Sequence, residues 1–309
     1  MQNSTALPSN VTSPASSLSV VIKICVVTPL FCTFLYFIIL MLFTFASHRQ
    51  FWENSRYVLF AYMLINDTAQ LLFSVLLFLF VMTNVRFAVV FCTPLLFIST
   101  ATFQNTPLIL ATMSLERYVA ICYPLRHPEI CRVDRTWVIM GAVWLISCIL
   151  PAVDFALAGS YSDIDVYSTP VLCKSQVLNS SPTQTLFKVT MNTLFFALVA
   201  VVILYTYIRI LLKARKMHSD RASVKKALHT VILHGIQLLL CMMSFTHPVT
   251  ESLIVLHVGW LKEHISFFNY FCFILLPRFL SPLIYGVRDE KLRTHMKRAM
   301  LCCSYKNVP

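Results

Sequence analysis

Seven long apolar blocks divide the chain, separated by polar breaks and showing no alternation of apolar and polar positions within them. They run over about 20–46, 57–83, 89–122, 136–157, 186–213, 224–247 and 264–286. Each reaches the ~20 residues that a helix needs to cross ~30 Å of hydrocarbon. Inside lipid, backbone amides must bond within their own segment or in a closed sheet, so blocks this long without a period of two select helices. The first two breaks, "ASHRQFWENSR" and "TNVR", are short, whereas that at about 158–185 holds Asp163, Asp165, Cys173 and Lys174 and reads as an outer loop. The stretch 209–226, "RILLKARKMHSDRASVKK", is strongly basic and extends two helices beyond the bilayer. After Tyr285, Leu292, Met296 and Met300 recur every four residues with charges between them, which predicts an amphipathic helix lying on the membrane surface. The expected architecture is all-α: a tail over 1–19, a seven-helix transmembrane domain over 20–286, and an amphipathic helix with a cytoplasmic tail over 287–309.

Composition agrees with this pattern. Of 309 residues, 58% are hydrophobic and 12% charged, about half the charged share of a soluble domain. Residues 1–19 are polar, and the first apolar block is too long for a secretory leader, so none is expected. The net charge of +12 would suit nucleic acid, but its placement argues for a membrane. With the N-terminus outside, 19 of the 25 Lys and Arg residues fall on the cytoplasmic side, the bias that sets the orientation of multi-pass proteins. That surface then meets anionic lipid and cytosolic partners. Sequons at Asn3 and Asn10 suit an external tail, as does one at Asn179, while that at Asn66 falls inside a span and is inert. None of the eleven cysteines has zinc-site spacing, and no metal site is expected. Cys92 and Cys173 both map near the outer face, where a disulfide persists; two separate core thiols are the alternative. Cys302 and Cys303 are either acylation sites or free thiols.

Three groups inside this apolar sequence need an account. Asp67, near mid-span, is costly in hydrocarbon and should face the bundle interior. Thr106, Ser281 and Asn66 lie at its depth, and the acid then binds sodium, is protonated, or makes a purely structural contact. Arg278 can snorkel, pair with a carboxylate or join a polar core, and the sequence does not choose. Glu116 and Arg117 end the third block at the cytoplasmic face. A pair there is cheap to break, so it can act as a bistable element that frees Arg117 for a cytosolic partner.

With these residues in place, the chain resembles the rhodopsin-like, class A receptors coupled to G proteins, and among them the fish-type odorant receptors. "LERYVAICYPLRHP" matches the third-helix signature of odorant receptors, "LINDTAQL" is similar to the second-helix acidic motif, and "KKALHTVILHGIQLLLC" to the sixth-helix segment with its His234. "PRFLSPLIYGVRDEKLR" corresponds to the seventh-helix Asn-Pro-x-x-Tyr region, and Trp144 to the fourth-helix tryptophan. The resemblance covers 20–300. It implies a Cys92–Cys173 disulfide and an inner contact lined by Glu116, Arg117, Tyr118, Tyr205 or Tyr207, His234 and Tyr285. Three features depart from the broader class: the first span has no Asn, Ser281 stands where Asn is usual, and the sixth lacks Phe-x-x-x-Trp-x-Pro, as odorant receptors do. The first two weaken a hydrogen-bond network around Asp67.

A ligand cavity is expected in the outer half of the bundle, lined by Ser99, Phe103, Gln104, Met191, Phe245, Thr246, Phe268 and Phe271. No carboxylate stands near Ser99 to receive an amine, which predicts a small, neutral or weakly polar ligand. His229, His234 and His247 have helical spacing without acidic neighbours and suit structural hydrogen bonds, with His229 or His234 coupled to activation. The leading expectation is an odorant receptor at the plasma membrane, N-terminus extracellular, acting through a heterotrimeric G protein with a stimulatory olfactory-type alpha subunit. A receptor of the same fold for a non-olfactory small molecule, lipid or peptide is the first alternative. A transporter is the second, although the inverted repeats it would show are not found. No catalytic constellation appears, so an enzyme is not expected.

Overall fold

The computed structural model describes residues 14–161, 170–174, 181–216, 229, 232, 235, 236, 239, 262–276, 278, 279 and 292–296. Most of the sixth block, the Asn3 and Asn10 sequons, Ser281, Tyr285 and Cys302 with Cys303 lie outside these residues. So do Asn179, His234, Phe245, Thr246 and His247.

The long helices are α1 (Pro14–Ser47), α2 (Ser55–Met82), α3 (Val89–Cys122), α5 (Val133–Tyr161) and α6 (Pro182–Lys216). A short α4 (His127–Ile130) sits between α3 and α5. α7 (Lys262–Asn269) runs on into a π-helical turn, Tyr270–Leu275. Residues 292–296 are helical where the amphipathic pattern predicts it, with Leu292 and Met296 buried against the bundle. α3 begins and ends at the expected positions; α1, α5 and α6 run one to six residues beyond their apolar blocks at each end. α1 starts six residues before the first apolar block, because Pro14 is pre-set for a first helical turn and the serines after it do not oppose helix. Hydropathy marks where lipid begins, whereas a helix ends where its hydrogen bonds do.

Local chemistry sets the turns. Asn54 caps α2 by accepting from the Arg56 N–H at 3.1 Å. At its other end Asn84 adopts a left-handed conformation, φ 54°, and the Val85 N–H reaches back to the Phe80 carbonyl at 3.0 Å. That turn leads into β1 (Arg86–Ala88), which pairs antiparallel with β2 (Pro170–Leu172), Arg86 opposite Leu172 and Ala88 opposite Pro170. The Cys92–Cys173 disulfide fastens this ribbon to the outer end of α3, with Leu96 packed beneath it.

α3 lies at the centre and packs chiefly on α2, α5 and α6. Four described helices are long and apolar enough to span a membrane (α1, α2, α5 and α6). α3 is long enough but more polar, because Gln104, Asn105, Thr106, Ser114 and Glu116 face protein rather than lipid and are buried. The reverse holds on α5, where Val138 and Leu145 are 73% and 68% exposed on an apolar outer face. Inside-out apolar exposure of this kind suits a lipid surround.

Candidate functional site

The interior polar groups form two clusters along α3. The deeper one joins three helices. Asn105 on α3 donates to Tyr62 Oη and to Asn66 Oδ1 of α2, both at 2.9 Å, and accepts from Ser147 of α5 at 3.2 Å. Asn66 donates to the Thr102 carbonyl at 3.0 Å and to Thr106 Oγ1 at 3.1 Å. The Thr106 hydroxyl donates in turn to Asp67 Oδ1 at 3.2 Å. Asp67 is wholly buried, as its cost in lipid requires. Thr106 is thus its direct partner, whereas Asn66 faces Asn105 and reaches the acid only through Thr106. Gln70, which accepts from Thr102, belongs to the same group.

On other faces of α3 at this level, Phe103 is half-buried and Gln104 is 3% exposed. Gln104 Nε2 donates to Asn192 of α6 at 3.1 Å, while its Oε1 has no partner among the described residues. Ser99, Met191 and Phe271 are half-buried at about this level. Phe268 is a correction: it is 60% exposed, on the outer side of α7, and cannot line an interior cavity. Eight residues was too generous a lining because depth along a helix is legible in sequence, and the direction a residue faces is much less so. Arg278 is wholly buried, with its Cζ 5.0 Å from the centre of the Phe103 ring and its Nη1 donating to the Ile274 carbonyl at 2.9 Å. The guanidinium therefore stays inside the bundle instead of snorkelling. An open groove of about 500 Å³ between Tyr62 and Trp137, Met140, Gly141, Trp144 and Leu145 faces the lipid side and is separate from this interior.

At the C-terminal end of α3, Glu116 is 7% exposed and faces Arg117 at 3.4 Å (Oε2 to Nε). Its other oxygen meets His127 Nε2 of α4 at 3.1 Å. This bond raises the affinity of His127 for its proton above the ordinary imidazole value. Tyr118 packs edge-on against Tyr205 of α6, with ring centres 5.9 Å apart, and Arg209 lies over Tyr205. Tyr207 packs against the core on the same helix. Sequence reasoning missed His127: it sits eleven residues beyond Glu116, past Pro124, and no local pattern marks it as a partner. It also missed Asn105, Ser147 and Asn192, whose only signal is polarity within apolar blocks. A further outer contact, Lys188 to Asp154 at 3.0 Å with Gln184 donating to the same carboxylate, ties α5 to α6.

Comparison with known proteins gives the same picture. A family model described as "7 transmembrane receptor (rhodopsin family)" matches residues 39–285. The chain is similar to "Odorant receptor 131-2" of Danio rerio, 32% identical over 275 residues that cover 86% of this chain and 82% of that one. It is also similar to "Olfactory receptor 52A1" of Homo sapiens, 30% identical over 208 residues, 63% of each chain. "Olfactory receptor 4K2" of Homo sapiens is 28% identical over 210 residues, 63% of this chain and 62% of that one. The matches to the human proteins thus span just under two thirds of their length.

Proposed function

The chain belongs to the rhodopsin family of seven-transmembrane receptors, in its odorant-receptor branch, and from that membership we propose how it signals. It is a multi-pass plasma-membrane receptor and not an enzyme. In the proposed mechanism a small, neutral or weakly polar molecule enters the outer half of the bundle, and the cytosolic end recruits a heterotrimeric G protein of the stimulatory olfactory type. Phe103, Gln104, Ser99, Met191 and Phe271 are its candidate contacts, with Phe245 and Thr246 on the sixth block. The N-terminus is extracellular in this scheme.

The observation that carries the reading is that one continuous helix holds both ends of the device. Phe103 and Gln104 lie about 20 Å along α3 from Arg117, at ~1.5 Å per residue. A ligand that favours a shifted α3 by ~2–3 kcal/mol changes the active fraction by about 50-fold or more. The shift opens the Glu116 clasp and turns Arg117 towards the partner, with Tyr118, Tyr205, Tyr207, His234 and Tyr285 shaping the contact. Asp67 with Thr106, together with Ser281 from outside the described residues, is the candidate seat of a sodium ion. The Arg278 charge, one turn outward, would weaken a second cation there.

The test is surface expression with a cyclic-nucleotide reporter and a chemically broad odorant panel. A ligand-dependent rise is expected, and Arg117→Ala should abolish it with surface level unchanged. A purified chain that activates no G protein under any ligand but moves solute across vesicles would overturn the reading.

A further inference from the structure

Arg278 has no part in the activation scheme, yet it is wholly buried. Guanidinium stays charged under all conditions a protein meets, so burial without a counter-charge is strongly unfavourable. Two contacts relieve it in part: Nη1 donates to the Ile274 carbonyl, and the Phe103 ring lies 5.0 Å from Cζ. Its Nε and Nη2 have no acceptor among the described residues, and no described carboxylate pairs with it. Asp67, the nearest acid by depth, is bound through Thr106 on the next turn of α3 inward from Phe103.

Arg278 thus keeps two buried donors, Nε and Nη2, without a partner among the described residues. Donors left in this state are completed by a molecule that brings acceptors. Nε and Nη2 lie side by side on the guanidinium edge, the spacing that the two oxygens of a carboxylate match with parallel bonds.

We propose that Arg278 anchors the polar end of the ligand, and that this end is an anionic group, a carboxylate, seated between α3 and the helix of Arg278 beside Phe103. The proposal rests on the reading of the chain as a small-molecule receptor, and it replaces the expectation of a neutral ligand with an apolar body carrying one acid group. An inorganic anion such as chloride offers the same charge, and the experiment separates the two.

Thermal unfolding of the purified full-length receptor is measured at constant ionic strength with hexanoate, benzoate, their primary amides, and chloride. Hexanoate or benzoate should stabilise the receptor, the matching amide should act only at concentrations at least about tenfold higher, and Arg278→Gln should remove this preference. Should Arg278→Gln lose its cooperative unfolding transition, Arg278→Lys carries the test: it keeps the charge but loses the fork, so the acid should weaken about tenfold while the amide is unchanged. Equal potency of acid and amide, an acid preference that survives Arg278→Gln, or a chloride effect to which carboxylates add nothing would each overturn the proposal. The readout uses no G protein. Signalling to neutral compounds without carboxylate binding therefore sinks the anion assignment alone, whereas carboxylate binding without signalling to any compound sinks the receptor mechanism alone.

Discussion

His127 gives the cytoplasmic clasp a dependence on pH. Its Nε2 lies 3.1 Å from Glu116 Oε1, and that bond holds its proton affinity above the ordinary imidazole value. Arg117 and Arg56 also face Glu116 and lower its proton affinity, and burial pushes the Cys131 thiol up to about 11. Because pairing favours the protonated ring, the protonated state belongs to the closed clasp. The contribution is therefore fully present below about 6.5, the unperturbed His value, and is lost as pH rises through the raised one. Basal signalling should accordingly climb when the cytosol is made alkaline, with ligand absent. His127→Gln should flatten that climb while leaving surface level intact; a variant that tracks wild type across the pH series would show that the switch lies elsewhere.

At the scale of the helices, the cross-ties of Asn105 decide how α2, α3 and α5 sit against one another. This residue is wholly buried and links Tyr62, Asn66 and Ser147, which lie on two other helices. Asn105→Ala leaves several buried polar atoms without partners and should cost roughly 2–4 kcal/mol, read as a lowered unfolding temperature in detergent. Ser147→Ala should cost only about 1 kcal/mol, because that hydroxyl has its own Val143 carbonyl as an alternative acceptor and removing it orphans less. Equal losses in the two variants would contradict the central place of Asn105. The helices themselves were legible in the sequence, since length and hydropathy bound them, and α3 was placed to the residue. Pairings inside them were not. Asn66 was expected beside Asp67, but helical rotation turns its amide towards Asn105, and hydropathy has no sensitivity to which neighbour a buried amide meets. The β1–β2 ribbon was missed for a related reason: three residues in each strand are too few for any period, and only the disulfide between Cys92 and Cys173 hinted that the two segments meet.

For the whole molecule, charge decides which way the bundle faces the two solutions. Both interior clusters would be equally stable in an inverted protein, so packing is silent on orientation. The bias of 19 among 25 basic residues is not silent, because each Lys or Arg resists transfer across the bilayer and prefers the anionic inner leaflet. The sites at Asn3 and Asn10 lie on the side this argument places outside, where the glycosylation machinery works. Two signals thus favour the same topology, and each can fail alone. In intact cells, Asn3→Gln and Asn10→Gln should each remove one glycan increment of mass, and the double variant should match enzymatically deglycosylated receptor. The segment around Lys213 should resist protease added to the medium and be cut only after the membrane is permeabilised. Cleavage in intact cells would put Arg117 and His127 outside as well, and the clasp could then neither meet a G protein nor respond to cytosolic pH.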